Sequence, residues 1–207
     1  MEFKDSSTIL NFSHKNQKQE EKMAEFDKLN FADIHMSLLA DRNIFLYGQI
    51  DQEICLTTQK TLLYLDSVDQ SDINIYISGP GGSIYDGFGL IDFMKTIKSP
   101  INTFCVGLAA SMSALIFLNG DKRYMLPNSN LMLHQPLGGA SGQASDIELI
   151  ANQILKIKSK VNEMIKANSN LKIAKIEQIT DRDCYIDASS AIAYGLANEI
   201  ISTNKGE

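Results

Sequence analysis

Residues 99–120, "SPINTFCVGLAASMSALIFLNG", contain no charged side chain, and this run constrains the fold more than any other part of the chain. A run of that kind is buried, because each large apolar side chain taken out of water contributes about 1.5–3 kcal/mol. Pro100, Asn102, Thr103 and Gly107 interrupt its first half, leaving a mainly apolar stretch of about fifteen residues. A membrane-spanning helix needs about 20. The run therefore reads as a buried strand over 101–106, a turn at Gly107, and a buried helix over "SMSALIFLNG" ended by Gly120.

The flanking segments repeat the theme. "NIFLYGQI" (43–50) and "INIYIS" (73–78) read as strands, the second broken by "GPGG" at 79–82. "EICLTTQKTLLYLDSV" (53–68) places Ile54, Leu56, Leu62, Leu63 and Leu65 at helical spacing, and "SIYDGFGLIDFMKTI" (83–97) reads as a second helix. "RYMLPN" and "LMLHQP" are short strands separated by a turn. Strands alternating with helices predict a parallel α/β sheet covered on both faces.

A long helix follows, beginning "SDIELIANQILKIKSKVNEMIKA". Ser145 and Glu148 are spaced as a capping box at its start. Apolar residues at 147, 150, 154, 157, 161 and 164/165 make one stripe. A helix this long, polar on its other face, projects from a domain and needs another chain to cover that stripe.

The chain of 207 residues suffices for one domain with an elaboration. A net charge of −6 leaves no Lys/Arg stripe to follow phosphates, which argues against nucleic-acid binding. Cys55, Cys105 and Cys184 are widely spaced and odd in number. That reads as reduced thiols in the cytoplasm, with neither a disulfide framework nor a metal site. The first 30 residues are polar, and in "SHKNQKQEEKMAEFDK" (13–28) half the positions are charged. They read as an arm or a removable pro-segment, with no signal-peptide h-region.

Within the uncharged run, Ser111 follows a strand and a glycine and opens a helix. Unpaired N–H groups and the positive helix end there favour developing negative charge, which suits a nucleophile that passes through an oxyanion. A plain helix N-cap is the other reading of Ser111. Ser113, two residues on, reads as a packing hydroxyl. A serine nucleophile needs a base, and of three histidines only His134 ends a strand in a chain-reversing context; His14 lies in the polar tail and His35 before the first strand. The "GPGG" loop lacks the Gly-Lys-Ser/Thr of a phosphate loop, and its glycines suit an oxyanion hole as well as a phosphate. Asp181, Asp183 and Asp187 supply acids; Asp187 is explained as the cap of a short helix over 188–194, and either of the others is free to orient the histidine.

Taken together, "YISGPGGSIYDG", "GLAASMSA", "LPNSNLMLHQPLGGASGQASDIE" and "TDRD…AIAYGLANEI" resemble the ClpP family, proteolytic subunits of the ATP-dependent Clp proteases, from about Leu38 to Ile201. The resemblance implies an α/β fold of ClpP/crotonase-like repeated β-β-α units with a protruding handle helix at about 138–168. It implies Ser111 as nucleophile, His134 as general base and Asp183 as orienting acid, with the backbone N–H groups of Gly82 and Met112 as the oxyanion hole. It further implies two stacked heptameric rings, Asp181 and Arg182 at the ring–ring contact, a hexameric AAA+ unfoldase as partner, unfolded proteins as substrates, and no cofactor or metal. This chain has Ser78-Gly79 where the family usually has Asn-Ser. Three other readings compete: a silent ring subunit that assembles with an active paralogue, a crotonase-type acyl-CoA enzyme, and a Ser–Lys protease using Lys122.

Overall fold

The computed structural model describes residues 31–201, so the expected arm at 1–30 lies outside them. The described residues divide between two compact units, with the boundary at Asp41/Arg42. The first contributes helix α1 (Phe31–Ala40), none of whose residues is buried. His35 lies on it.

The second unit is built on seven strands and six helices: β1 (Asn43–Ile50), α2 (Gln52–Val68), β2 (Ile73–Gly82), α3 (Ile84–Met94), β3 (Ile101–Ala110), α4 (Met112–Leu118), β4 (Lys122–Met125), β5 (Asn130–Leu133), α5 (Ala144–Ala167), α6 (Ile173–Thr180), β6 (Cys184–Asp187), α7 (Ala188–Ala193) and β7 (Glu199–Ile200). The sheet runs β1-β2-β3-β4-β7, all parallel. Strand β3 is long enough to take two neighbours on one edge. Its first half pairs with β4 and its last three residues with β5, which turns to meet β6 antiparallel.

Two strands outrun their sequence-based limits. The spacing predicts breaks at Gly79 and Gly107, yet β2 continues to Gly82 and β3 to Ala110. The glycines mark bulges instead. The β2–β3 register shifts between Ile77 and Gly79, and Gly107 has φ 71°, a left-handed conformation that costs glycine little. The strands bend and carry on, so their C-terminal ends reach further towards one end of the sheet.

Burial alternates along the first halves of β1 and β2. Ile44, Leu46, Ile75, Ile77, Thr103 and Cys105 face the core, where α4 contributes the wholly buried Ile116, Phe117 and Leu118. The expectation of two covered faces needs correction. Phe45 and Tyr47 remain 45% and 46% exposed, and on their face four rings stack across four strands: Phe45 on Tyr76 at 5.1 Å, Tyr76 on Phe104 at 4.7 Å, and Phe104 on Tyr124 at 4.8 Å. The strands are amphipathic with period two, and only one of their faces forms the buried core.

Helix α5 is 24 residues long, about 36 Å. Only Val161, Asn162 and Ile165, near its C-terminal end, are buried, while Ile147 and Leu149 are exposed. Its N-terminal half therefore lies outside the core, as the unpartnered stripe predicts. The capping box does not form: α5 starts at Ala144 with Gln143 at the N-cap and no side-chain cap bond, two residues ahead of the position Ser145 would need. The short helix behaves as read, with the Asp187 carboxylate accepting the Ser190 N–H at 2.7 Å. Cys55 and Cys105 are buried and burial raises both thiols to about 11, which leaves them unreactive; all three cysteines are unpaired.

Candidate active site

Strand register places the candidate residues. Ala110 pairs with Met132 across the parallel β3–β5 ladder, and the Ser111 N–H donates to the Met132 carbonyl at 2.8 Å. Leu133 pairs with Cys184 across the antiparallel β5–β6 ladder. Ser111, His134 and Asp183 each lie one residue past a paired strand end, so closing the ladders brings them to one point. The Ser111 hydroxyl donates to His134 Nε2 at 2.8 Å, and His134 Nδ1 lies 3.0 Å from Asp183 Oδ1, which sets the tautomer with the proton on Nδ1. The histidine side chain is 15% exposed and the aspartate 61%.

Ser111 occupies the N-cap position of α4, but its hydroxyl makes no cap bond. Its backbone stands at φ 52°, ψ −119°, a sparsely populated conformation for a non-glycine residue. Such strain persists where the surroundings over-determine it. Here the bond to Met132 and the seven buried residues of α4 do so. The sharp strand-to-helix turn presents the hydroxyl to a cavity of about 250 Å³ lined by Gly82, Ile84, Met112, Leu115, Leu133 and Val161, among others. The lining is mostly aliphatic.

The glycine loop is wedged against this turn. A Cβ on Gly81, whose φ is 94°, would lie 2.7 Å from Ser111 Cβ and 2.9 Å from Met112 N; one on Gly82 would fall on the Ile50 carbonyl. Gly87 of α3 gives the Met112 side chain its room in the same way. Gly79 has no space for the family's serine, because a Cβ there would strike the Gly48 carbonyl and stand 3.1 Å from Ser113 Oγ. Ser113 is 1% exposed, and its hydroxyl has no hydrogen-bond partner among the described residues. A buried orphan hydroxyl costs about 1–3 kcal/mol. Ser113→Ala is accordingly expected to raise the thermal midpoint by about 2–4 °C for each kcal/mol of that cost, as read by differential scanning calorimetry.

Of the other candidates, Asp181 and Arg182 are exposed, and the Asp181 carboxylate meets Gln135 Nε2 at 3.5 Å, while the histidine's carboxylate partner is Asp183. Lys122 pairs with Asn102 at the far end of β3 from Ser111, which removes the Ser–Lys arrangement. Among the described residues no group of His, Cys, Asp and Glu has metal-site spacing, and no helix is long and apolar enough to cross a membrane. Gln135 and Gly87 escaped the sequence reading, since the first looks like part of a turn and the second like an ordinary helix glycine.

A parallel α/β architecture with a hydroxyl, an imidazole and a carboxylate in line at its strand ends is the arrangement that serine-type hydrolases use. Residues 26–204 match the family model described as Clp protease, and the chain belongs to that family. It is similar to the ATP-dependent Clp protease proteolytic subunit of Porphyromonas gingivalis (strain ATCC BAA-308 / W83), 42% identical over 183 residues that cover 86% of this chain and 82% of the relative.

Proposed function

We propose that this chain is a serine endopeptidase of the Clp type that cleaves unfolded polypeptides by a Ser–His–Asp acyl-enzyme mechanism. One observation carries the reading: the Ser111–His134–Asp183 alignment at 2.8 and 3.0 Å beside an aliphatic cavity. His134 Nε2 takes the Ser111 proton as Oγ attacks the scissile carbonyl. Asp183 stabilises the imidazolium, which then protonates the leaving amine. The backbone N–H groups of Gly82 and Met112, both at the cavity, serve the tetrahedral oxyanion; a single such donor contributes about 2.7–4 kcal/mol to the transition state. The aliphatic lining receives an apolar substrate side chain next to the scissile bond. A crotonase-type enzyme would have no use for the Ser–His contact.

Assembly into two stacked heptameric rings is supported by the apolar side chains that α5 leaves exposed, Ile147, Leu149 and Leu155, with Asp181 and Arg182 at the ring–ring contact. Delivery by a hexameric AAA+ unfoldase in the cytoplasm completes the proposal, and the unpaired cysteines fit that reducing compartment. Intact-mass spectrometry after fluorophosphonate treatment tests the nucleophile: one adduct per chain, mapped to Ser111, is the expected result. An unlabelled protein would instead favour the assembled but silent subunit.

The arm at residues 1–30 bears on the unfoldase. Its removal is expected to reduce unfoldase-dependent degradation of a folded substrate by about tenfold or more, while short-peptide cleavage stays within about twofold. Equal loss of both rates would count against an axial role.

A further inference from the structure

Several polar contacts with no part in the proposed chemistry join the segment carrying Asp183 to the strand carrying His134. Thr180 closes α6 and is fully buried, as is Asn162 on α5, at 0% and 4% exposure. The Thr180 hydroxyl donates to the Ile176 carbonyl at 2.9 Å and lies 3.3 Å from the Asn162 side-chain amide, which pins the end of α6 to α5. The Thr180 carbonyl accepts the backbone N–H of Gln135 at 2.6 Å. The Gln135 side chain reaches one residue further, and Nε2 donates to the Asp181 carbonyl at 2.9 Å. Gln135 directly follows His134, and Asp183 lies two residues past Asp181. One residue thus holds two consecutive carbonyls, Thr180 and Asp181, just ahead of Asp183.

The grip matters because burial does not hold Asp183. Its side chain is 61% exposed, and an exposed ion pair is worth little unless the geometry is imposed on it. That geometry depends on where the backbone at 181–183 sits. Among the described residues the Asp181 carbonyl has one other side-chain donor, Arg182 Nη1 at 3.3 Å, and Arg182 is itself exposed.

We propose that Gln135 is a positioning residue: its side-chain N–H holds the 181–183 backbone so that the Asp183 carboxylate meets His134 Nδ1. Gln135 does not line the cavity at Ser111, so it acts on the base through the acid and leaves substrate contacts alone. The inference rests on the reading of Ser111, His134 and Asp183 as a triad.

Gln135→Met keeps the length of the side chain and removes its donor. Gln135→Glu keeps the shape and sets a carboxylate against the Asp181 carbonyl. Both are expected to slow fluorophosphonate labelling of Ser111 by about ten- to a hundredfold, the cost of a small misplacement in a reacting constellation. Peptide hydrolysis is expected to lose kcat at unchanged KM. The decisive measurement is a double-mutant cycle with Asp183→Asn, using labelling rates of the full-length assembled protein. Once Asp183 no longer orients the histidine, adding Gln135→Met is expected to slow labelling by less than about twofold. Equal slowing in both backgrounds, or wild-type rates for Gln135→Met and Gln135→Glu, overturns the positioning role. A wild-type protein that takes no label at Ser111 overturns the triad reading instead, and this inference with it.

Discussion

Ser111→Ala is expected to lower kcat for peptide cleavage by a factor on the order of 10⁶, the size of loss seen when a triad nucleophile is removed. The hydroxyl is the group that attacks in the proposed mechanism, and among the described residues that line the cavity no other side chain bears a hydroxyl; Ser113, two residues away, is 1% exposed. Alanine keeps the Cβ that packs on Gly81 and leaves the Met132 bond from the backbone N–H untouched. It also removes no cap bond, because the Ser111 side chain makes none. The variant should therefore fold and assemble as the wild type does. Steady-state peptide hydrolysis beside size-exclusion chromatography checks both halves. Residual turnover near wild type would sink the assignment of Ser111.

The second large effect comes from an atom added rather than removed. Gly81→Ala introduces a Cβ 2.7 Å from Ser111 Cβ, 2.8 Å from the Ala110 carbonyl and 2.9 Å from Met112 N, at a φ of 94°. None of these neighbours is the free end of a flexible side chain. Relief must come from moving the turn that carries the nucleophile and the Met112 N–H, or from moving the loop that carries Gly82. A displacement near 1 Å is expected to slow Ser111 labelling by about a hundredfold or more. The left-handed backbone adds about 1–2 kcal/mol of destabilisation, visible as a lowered thermal midpoint. Gly89→Ala is the matched control, because its Cβ would meet only Gln59 Nε2 at 3.9 Å. Labelling of Gly81→Ala at the wild-type rate would show that the wedge does not set the geometry of the turn.

Parts of the site were open to reading before any tertiary contact was known. Ser111 stood out because a hydroxyl at the start of the most apolar helix needs a reason. His134 stood out because the chain has so few histidines. The choice between Asp181 and Asp183 was closed to local reasoning, since both flank Arg182 in one short segment. The family resemblance implied Asp183, and the β5–β6 register sets that residue against His134 while Asp181 turns towards Gln135. The N-cap reading of Ser111 had a sound local basis, yet the hydroxyl faces the imidazole. A neighbouring strand offers it a better partner than its own helix does.

Other misreadings share one cause. Gly79 and Gly107 have the composition of strand breakers, but paired neighbours on both sides carry β2 and β3 through them as bulges. The Ser145–Glu148 pair has capping-box spacing, but α5 begins earlier and leaves the pair inside the helix.

What the sequence by itself determined is set by composition and period: strands alternating with helices, the buried run at 99–120, the helical stripe of α5, and the chemical types available for a nucleophile, a base and an acid. Those follow from side chains interacting with water and with neighbours a few positions away. Only the tertiary structure decided that residues 111, 134 and 183 meet, that one sheet face bears a row of stacked rings, and that Gln135 bridges two segments. The contacts involved span 23, 49 and 46 positions along the chain. Their distances are fixed by strand register and close packing, and neither is written in any local stretch of residues.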